Sequence, residues 1–484
     1  MKISTYLRWQ RWQVRYKVIA EQIIEDIREG KLSLGARMPS LRNLSRLFSV
    51  SMTTALNCYH LLEELGWIIA KPQSGFYVAL PLSEQRTPCL PQFLSRPTHV
   101  AIQESDLHHP KYSGPLGISQ LNPSDMPTNA LHNSMKRGLK RLGHEIHRYP
   151  DRQGDLALRR SLEQHFAHYG FPFSANELVI ANGCIDAVRI ALEAISSTGD
   201  AIAISSPCFS GLLELLGGLG RRVVEIPSTS EGIDLEQLEQ HLAQGTVVAG
   251  LFSTSHMNPQ GISMSPSQKQ ALAALANRYQ IPIIEDDIYM ELGHGKVMPL
   301  PAKYWDKGGY VLWCGSVSKT LTAGFRLGWC LAGRHLPVYL KQHGISHFGV
   351  SAPVQAGLAD FINSGQYHSH LQKTRLRLQQ NIREYRAFLS ERLPIETAIS
   401  SPTGGLVLWL QVPNLNSQAL WRAACEQSLD IRIGPAFSTL PLYQDCFRVN
   451  AGWSLTTGVD EVNIAKQQLE LLVKLMPNCM NIRH

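Results

Sequence analysis

The sequence predicts an α/β protein in which a small helical domain with a β-hairpin precedes a large domain built on a mostly parallel sheet. Three observations lead to this prediction. The chain has 484 residues, which is more than one ordinary domain holds. Residues 12–80 combine short amphipathic helices with two β-rich runs, whereas residues 118–484 alternate helical patterns with short apolar runs. A proline-containing stretch, 81–117, lies between them.

Composition narrows the class of protein. Hydrophobic residues make up 44% of the chain and charged residues 18%, as is typical of a soluble globular protein. Residues 1–80 contain 11 Lys/Arg and 6 Asp/Glu, so this part carries +5 of the net charge of +7. Such a basic N-terminal part indicates either a polyanionic partner or a solvated surface. Nine scattered cysteines, no signal segment and no membrane-length apolar run predict a cytoplasmic protein with reduced thiols, no membrane association and no metal site.

The first domain, 12–80, shows three helices and a hairpin. Isoleucines recur every fourth position from Ile19 to Ile27 and predict an amphipathic helix. In MPSLRNLSRLF, Ser40 is a candidate cap of a second helix. In VSMTTALNCYHLLEELG, a third helix buries one stripe and is expected to turn Thr53 and Thr54 outward. The segment WIIAKPQSGFYV predicts two strands joined by a tight turn, which completes a winged helix-turn-helix.

The second zone, 81–117, is predicted to be an interdomain linker. It contains six of the 27 prolines and shows neither helical nor strand periodicity. A structureless stretch of this length is improbable inside a compact domain. If extended, it would span on the order of 100 Å.

The third zone, 118–484, predicts a sheet covered by helices. Its apolar runs, ELVIANG, AIAISSP, VVAGLFS, IPIIEDD, YVLWCGS and LGWCLAG, do not alternate with polar residues. Runs of this kind are typical of parallel strands buried on both faces. After a long polar helix near 366–392, GGLVLWL and FRVNAGW predict a smaller α+β subdomain.

Polar residues recur where the predicted strands end. Asp286 and Tyr289 follow one strand in IIEDDIYM, and Asn258 lies on a turn in SHMNPQG. Gly183 in ANGC lies between a predicted strand and the start of the following helix, and Lys319 follows two closely spaced serines in GSVSKTLTAGFRLGW.

A pyridoxal phosphate (PLP) site requires these residue types. It needs a lysine amine for the aldehyde, a carboxylate that keeps the pyridine nitrogen protonated, donors for the ring oxygen and an aromatic ring. It also needs a phosphate cup made from a helix N-terminus, hydroxyls and an arginine. Lys319 is the candidate for the amine, and Asp286 is the candidate for the carboxylate. Tyr289 and Asn258 are candidates for the ring oxygen, and Phe209 is the candidate for the aromatic ring. The candidates for the phosphate cup are Gly183, Ser316, Ser318 and Arg326.

Taken one at a time, these residues also have structural interpretations. Lys319 fits a surface charge in a serine-rich loop, and Asp286 or Asp287 fits a helix cap. Phe209 fits packing after a proline, and Arg448 fits a satisfied strand arginine. Their joint order and spacing favour the cofactor site.

Residues 118–484 resemble a fold-type I, class I/II aminotransferase domain. The resemblance runs through YPDRQGDLALR, ANGC, SPCFSG, NPQG, EDDIY, GSVSKTLTAGFRLGW, the PTGG turn and FRVNAGW. It implies that Lys319 holds PLP as an internal aldimine. It assigns the remaining roles as follows: Asp286 at the pyridine nitrogen, Asn258 and Tyr289 at the ring oxygen, Phe209 on the ring, Ser316, Ser318 and Arg326 at the phosphate, Tyr149 at the phosphate of a partner subunit, and Arg448 at an effector or substrate carboxylate. Two positions depart from the family pattern, because Cys184 replaces a phosphate-loop Ser or Thr and Phe209 replaces a more common tyrosine.

Residues 12–80 resemble the GntR-type winged helix through EGKLSLGARMPSLRNLSRLF, VSMTTALNCYHLLEELGWI and PQSGFYV. The physical basis is that a helix fits the DNA major groove, where short polar residues reach base edges. The implied DNA contacts are Ser51, Thr53 and Thr54 at bases, Arg37, Arg42 and Arg46 at phosphates, and the Gln73–Gly75 wing in the neighbouring groove. Family members often have arginine where this chain has Met52. A helix-turn-helix used for protein contacts is the alternative.

A winged helix, a linker and an aminotransferase-like domain together resemble the MocR subgroup of GntR regulators. The resemblance implies a homodimer that binds a double-stranded DNA operator and senses an amino acid, an amine or PLP itself through the Lys319 aldimine. A working aminotransferase with a DNA-binding head is the alternative, and a sensor of the cofactor level alone is a third. His256 and Met257 are expected either to line the ligand pocket or to pack in the core.

Overall fold

The computed structural model describes residues 3–29, 31–32, 36–71, 74–79, 86–100, 114–295, 297–346, 348–456 and 463–481. These residues divide into two compact units. One comprises the described part of 1–87 together with 386–399, and the other comprises the described parts of 88–385 and 400–484. Within this described part of the chain, the search for a helix long and apolar enough to span a membrane finds none.

The N-terminal unit contains the predicted three helices and hairpin. Its elements are α1 (Ile3–Arg28), α2 (Leu41–Leu47), α3 (Met52–Glu64), β1 (Ile68–Lys71) and β2 (Gly75–Val78). Ser40 caps α2 by accepting from the Asn43 backbone N–H at 3.3 Å, and the two strands pair antiparallel. The core of α1 and α3 includes Ile23, Tyr59 and Leu62, all buried. The winged helix-turn-helix prediction is therefore confirmed.

The large unit begins with an edge strand and a series of alternating helices and strands. Up to the last strand of the main sheet these are β3 (Pro97–His99), α4 (Thr128–Leu142), α5 (Leu156–His168), β4 (Leu178–Ala181), α6 (Cys184–Ile195), β5 (Ala201–Ser206), α7 (Ser210–Gly218), β6 (Arg222–Thr229), β7 (Gly232–Ile233), α8 (Leu235–Ala243), β8 (Ala249–Phe252), α9 (Pro266–Tyr279), β9 (Ile283–Asp286), β10 (Val311–Ser316) and β11 (Gly328–Leu331). The sheet order is β3-β6-β5-β8-β9-β10-β11-β4, with β7 paired to β6.

Among the residues that the structure describes, six of the nine strands in this sheet run in the same direction, in agreement with the predicted mostly parallel sheet. Strands β5, β6, β8, β9 and β10 run in one direction, and β11 is antiparallel to both β10 and β4. Every residue of β4, β5, β8, β9, β10 and β11 is buried, which is why their sequences are continuous apolar runs. The carboxyl ends of the parallel strands meet at one edge of the sheet, where ligand sites of α/β proteins form.

The remaining elements follow β11. They are α10 (Leu336–Ser346), α11 (Ala352–Asn363), α12 (Gln366–Arg392), β12 (Ala398–Ile399), β13 (Val407–Gln411), α13 (Ser417–Glu426), β14 (Arg432–Ile433), β15 (Cys446–Asn450) and α14 (Ile464–Leu475). Strand β15 pairs antiparallel with β13 on one side and with β14 on the other. These strands and helices α13 and α14 match the predicted smaller α+β subdomain.

The prediction that 81–117 lacks regular structure is wrong at Pro97–His99. These three residues form the edge strand β3, in which Pro97 lies opposite Val224 and His99 opposite Arg222. An edge strand tolerates proline because it needs backbone partners on one side alone. A three-residue strand is also too short to give a periodic pattern. Residues 80–85 and 101–113 lie outside the described residues.

Candidate functional site

The predicted cofactor residues come together at the carboxyl edge of the main sheet. Asp286 ends β9, and Ser316 ends the neighbouring β10. Gly183 follows β4 at the start of α6, and Arg326 precedes β11, which enters the sheet from this edge. Residues separated by up to about 140 positions in the sequence thus share one edge because the strands they follow are neighbours.

Lys319 lies in the turn after β10. Its Nζ donates to the backbone carbonyl of Ser119 at 2.5 Å. The pKa of Lys319 is lowered to about 8, mainly by burial and also by the Arg448 charge, while the Asp286 carboxylate opposes the change. The lysine is therefore not a solvated loop charge, and its amine is far easier to deprotonate than that of an ordinary lysine.

Asp286 is buried and faces Cys184. The Cys184 thiol donates to Asp286 Oδ1 at 3.1 Å. Burial raises the pKa of Asp286 to about 6, an effect that the thiol hydrogen bond and the Lys319 charge partly offset. The short side chain of Cys184, at the first position of α6, thus reaches the carboxylate of β9, and its role at the phosphate stays a prediction.

The alternation of side chains along β9 separates three consecutive acids. Glu285 accepts from Thr254 Oγ1 at 2.5 Å and from the Ala302 backbone N–H at 2.7 Å. Asp287 accepts from the Trp313 indole at 3.2 Å. Because successive strand residues point to opposite faces, Asp286 is the one acid of the three directed toward Cys184. Asp286 is not the cap of the helical turn that follows, Met290–Leu292, because the cap position is occupied by Tyr289.

Tyr289, Asn258 and Arg448 form one buried hydrogen-bonded chain. Asn258 Nδ2 donates to the Tyr289 hydroxyl at 3.3 Å, and Asn258 Oδ1 accepts from Arg448 Nη1 at 3.0 Å. Arg448 Nη2 donates to the backbone carbonyl of Gly117. Its Nε has no hydrogen-bond partner among the described residues, and burial lowers its pKa to about 10. A buried guanidinium facing neutral oxygens is a good receptor for a carboxylate.

The segment 114–120 completes this cluster, although nothing in the sequence pattern predicted it. Ser119 supplies both the carbonyl that Lys319 contacts and a hydroxyl 2.8 Å from the Tyr289 hydroxyl. Asn450 holds the segment by donating to the Pro115 carbonyl at 2.7 Å and to the Gln120 carbonyl at 3.0 Å. Most of these contacts use backbone carbonyls, which every residue has, so no side-chain signal was available.

The predicted phosphate cup is built around Gly183. Gly183 has φ of +94°, and a Cβ there would lie 2.7 Å from Arg326 Nη2, so the exposed guanidinium lies directly against the start of α6. Ser316 Oγ donates to the Leu327 carbonyl at 2.7 Å and lies 2.8 Å from Ser318 Oγ. A helix N-terminus, an arginine and two hydroxyls are the donor set that an anionic phosphate requires. These residues fit PLP.

Two further predicted positions lie in different surroundings. Phe209 is half-buried at the start of α7, where its ring covers Gly211. Tyr149 is 86% exposed, and its ring centroid lies 5.8 Å from that of Phe348. Tyr149 is therefore not gathered with the other candidates within this chain.

His256 and Met257 follow the packing alternative. His256 Nδ1 lies 2.9 Å from Ser263 Oγ, and a Cβ on Gly404 would lie 2.1 Å from the imidazole. Burial lowers the pKa of His256 to about 3. Met257 is 2% exposed and packs in the core with Phe252.

The start of α3 corrects one predicted DNA contact. Ser51 caps the helix by accepting from the Thr54 backbone N–H at 3.1 Å, and the Ser51 and Thr54 hydroxyls lie 2.9 Å apart. Thr54 is 4% exposed, whereas Ser51 and Thr53 are exposed. Thr54 therefore cannot reach a base, because its side chain points back into the cap and the helix core.

The predicted phosphate-contacting arginines are all available to solvent. Arg37, Arg42 and Arg46 are exposed, and the last two lie on α2. Gly75 starts β2 with φ of +99°, and a Cβ there would lie 3.8 Å from Arg37 Nε, so this arginine lies beside the wing. Gln73 lies outside the described residues.

Two family models match this chain. The model of aminotransferase class I and II matches residues 116–461, and that of bacterial regulatory proteins of the gntR family matches residues 15–78. Among solved structures, the multiple substrate aminotransferase of Thermococcus profundus has a TM-score of 0.68 at 21% identity, covering 76% of this chain and 92% of its own. This likeness establishes the aminotransferase fold of the large unit.

Two relatives of Escherichia coli K12 share the whole arrangement. The uncharacterized HTH-type transcriptional regulator YdcR is 33% identical over 447 residues, covering 91% of this chain and 95% of the relative. The uncharacterized HTH-type transcriptional regulator YjiR is 30% identical over 450 residues, covering 91% of this chain and 96% of the relative. The chain therefore belongs to the family of HTH-type transcriptional regulators in which a GntR-type DNA-binding domain is joined to an aminotransferase class I and II domain, the MocR-like architecture.

Proposed function

We propose that this protein is a PLP-dependent, DNA-binding transcriptional regulator whose aminotransferase-like domain senses an amino acid, an amine or PLP itself. The observation that carries the proposal is the position of the segment 114–120. Its carbonyls accept from Lys319 and from Arg448, the residues expected to hold PLP and the carboxylate of a ligand. In the sequence, the same segment lies between the DNA-binding domain and the strands that lead to Asp286, Lys319 and Arg448.

The residues present would hold PLP in the following way. Lys319 would take the aldehyde, Asp286 the pyridine nitrogen, and Tyr289 and Asn258 the ring oxygen. The cup formed by Gly183, the α6 N-terminus, Ser316, Ser318 and Arg326 would take the phosphate, and Phe209 would cover the ring. When bound, PLP supplies an aldehyde that exchanges one amine for another and a ring that withdraws electrons.

The chain's own residues prepare the site for an incoming amine. With a pKa of about 8, roughly a tenth of the Lys319 amine is neutral at pH 7, compared with far less for an ordinary lysine. Asp286, with a pKa raised to about 6, is still mostly ionised at pH 7 and would keep a proton on a bound pyridine nitrogen. Arg448 stays charged, since its pKa of about 10 lies well above neutrality.

A carboxylate ligand would compete with the backbone for Arg448. The Gly117 carbonyl is a neutral acceptor, whereas a carboxylate carries a negative charge and can accept from two N–H groups of the guanidinium at once. The ligand would therefore displace the Gly117 carbonyl from Arg448. Release of the segment would then shift the balance between DNA-binding geometries by the ligand's differential affinity for the two states.

We further propose a homodimeric, cytoplasmic protein that binds a two-part operator. Large exposed side chains support a subunit contact, since Ile345 is 70%, Phe348 73% and Tyr149 86% exposed, and the Tyr149 ring centroid lies 5.8 Å from that of Phe348. Large exposed apolar side chains that cluster are typical of interaction surfaces. In a dimer, Tyr149 would take its place at the phosphate of the partner subunit.

An aminotransferase is the alternative function, and one set of residues favours it. Lys319, Asp286 and Arg448 retain the groups that such an enzyme needs to bind an amino acid and move its α-proton. Weak half-transamination is thus compatible with either function, and turnover is the property that separates them.

An absorbance titration of the full-length, PLP-loaded protein tests the proposal. Amino acids and amines are added one at a time, and a keto acid is added afterwards. A regulator should show a shift of the cofactor band for one ligand that persists without multiple turnovers. Repeated bleaching and recovery with the keto acid over many cycles would instead identify an enzyme. A response to PLP addition alone, with no ligand effect, would identify a sensor of the cofactor level.

A further inference from the structure

The exposed side of α3 is unusual for a DNA-reading helix because it carries no lysine or arginine. It consists of Met52, Thr53, Leu56, Asn57 and His60, here called the α3 face. Met52 is 46% and Leu56 37% exposed, and the other three residues are exposed as well. The whole helix, MTTALNCYHLLEE, contains no cationic residue of these two types.

The orientation of the α3 face is fixed by contacts on the opposite side of the helix. The Tyr59 hydroxyl donates to the Pro39 carbonyl at 2.7 Å, and the Tyr59 ring centroid lies 5.0 Å from that of Phe76. Ala55 and Cys58 are fully buried. The residues of the α3 face occupy helix positions 1, 2, 5, 6 and 9, which project to one side of a helix with 3.6 residues per turn.

The chemistry of this face suits one kind of base pair. Guanine is read in the major groove mainly by bidentate arginine or lysine, and the α3 face has neither. Thymine instead presents a C5-methyl group, which apolar side chains such as those of Met52 and Leu56 can contact. Adenine presents an N6 donor and an N7 acceptor, which match the amide of Asn57.

The cations of this domain lie where phosphates are expected. Arg42 and Arg46 are exposed on α2, and Arg37 lies beside the wing. Phosphate contacts supply affinity and register without reading sequence. Affinity and sequence reading are thus assigned to different elements of this small unit.

We propose that the α3 face reads A·T base pairs, with Met52 and Leu56 against thymine methyl groups and Asn57 at an adenine edge. The operator half-sites therefore contain adjacent A·T pairs at the positions that α3 contacts. This inference rests on the proposed DNA-binding function and adds the class of sequence that is bound.

The test begins with selection of duplexes from a random pool by the full-length protein at fixed salt. A·T pairs should be enriched at the centre of each half-site. Single thymines there are then replaced by deoxyuridine, which removes the methyl group and changes nothing else. Loss of one buried methyl contact should weaken binding about three- to fivefold, and replacements outside the half-sites should have no effect.

Matched variants connect the effect to individual residues. Met52→Ala and Leu56→Ala should weaken binding by a similar factor and should remove the sensitivity to deoxyuridine at one position each. Leu65→Ala is the control, because Leu65 is 47% exposed at the opposite end of α3. Arg42→Ala should weaken all duplexes alike and leave sensitivity to deoxyuridine intact. Met52→Arg should move the preference toward G·C at its position.

The outcomes separate the inference from the proposed function. If no duplex is enriched by the folded protein, the DNA-binding function fails, and the inference fails with it. If half-sites are enriched but are rich in G·C pairs, or tolerate deoxyuridine at every thymine, DNA binding stands and the inference is overturned.

Discussion

Lys319 is the residue whose environment has the clearest chemical consequence. An amine attacks an aldehyde only when it is neutral, so the rate of covalent PLP capture by cofactor-free protein should follow deprotonation of Lys319. With a pKa of about 8, the rate should rise about tenfold per pH unit below pH 7 and level off above about pH 9. Stopped-flow absorbance, with borohydride reduction and mass analysis of the product, measures this profile.

Substitutions should move this profile in opposite directions. Arg448→Gln removes a charge that lowers the pKa of Lys319, so the profile should move to higher pH. Asp286→Asn removes a carboxylate that raises it, so the profile should move to lower pH. Lys319→Ala should abolish capture, whereas Lys466→Ala, at an exposed lysine of α14, should leave it unchanged. A midpoint near 10 in the unsubstituted protein would contradict the role of burial.

At the scale of the element, the strands that build the site could be predicted from the sequence because both their burial and their functional groups are visible in the side chains. Continuous apolar runs followed by polar residues placed Asp286, Asn258 and Lys319 at strand ends, and the sheet order then brought those ends together. Three features escaped prediction for physical reasons. The edge strand β3 is too short for periodicity, Thr54 is turned inward by the cap of α3, and segment 114–120 acts mainly through backbone carbonyls.

Segment 114–120 yields a prediction of its own. A Cβ on Gly117 would lie 2.1 Å from the Asp430 carboxyl carbon, so Gly117→Ala requires the segment or this carboxylate to shift, and we expect the shift to weaken the bond from Arg448 to the Gly117 carbonyl. The ligand-free state then loses one hydrogen bond to a buried cation, which should tighten binding of carboxylate ligands by about tenfold. Titration of the cofactor band with an amino acid measures this change.

Two comparisons make this prediction specific. Gly114→Ala lies in the same segment, but its nearest neighbour would be the flexible end of Gln468 at 2.9 Å, so this variant should bind ligands as the unsubstituted protein does. An amine without a carboxylate should bind Gly117→Ala with unchanged affinity, because it does not use Arg448. Equal tightening for both kinds of ligand would show that competition at Arg448 is not the cause.

At the scale of the whole molecule, the position of segment 114–120 bears on where the large domain begins. The sequence prediction divides the chain into 12–80, 81–117 and 118–484. The aminotransferase class I and II model begins at residue 116, and residues 114–120 are held by Asn450 and Arg448. The large compact unit begins earlier still, at residue 88, and includes β3. We therefore propose that the large domain begins near residue 88, and that the connection to the DNA-binding domain is correspondingly shorter.

A regulator of this kind must also obey thermodynamic reciprocity. If a ligand changes operator affinity by some factor, the operator must change ligand affinity by the same factor, typically about 5- to 150-fold. Operator affinity measured with and without saturating ligand, and ligand affinity measured with and without operator duplex, should give equal factors. Arg448→Gln should bring both factors close to one for a carboxylate ligand. Because this substitution also removes the contact with Gly117 that the ligand would displace, operator affinity without ligand should move toward the value that the unsubstituted protein has with ligand. A duplex with scrambled half-sites should leave ligand affinity unchanged. A factor of one in the unsubstituted protein, together with sustained turnover, would identify the aminotransferase alternative, because an enzyme has no need to couple its ligand to DNA.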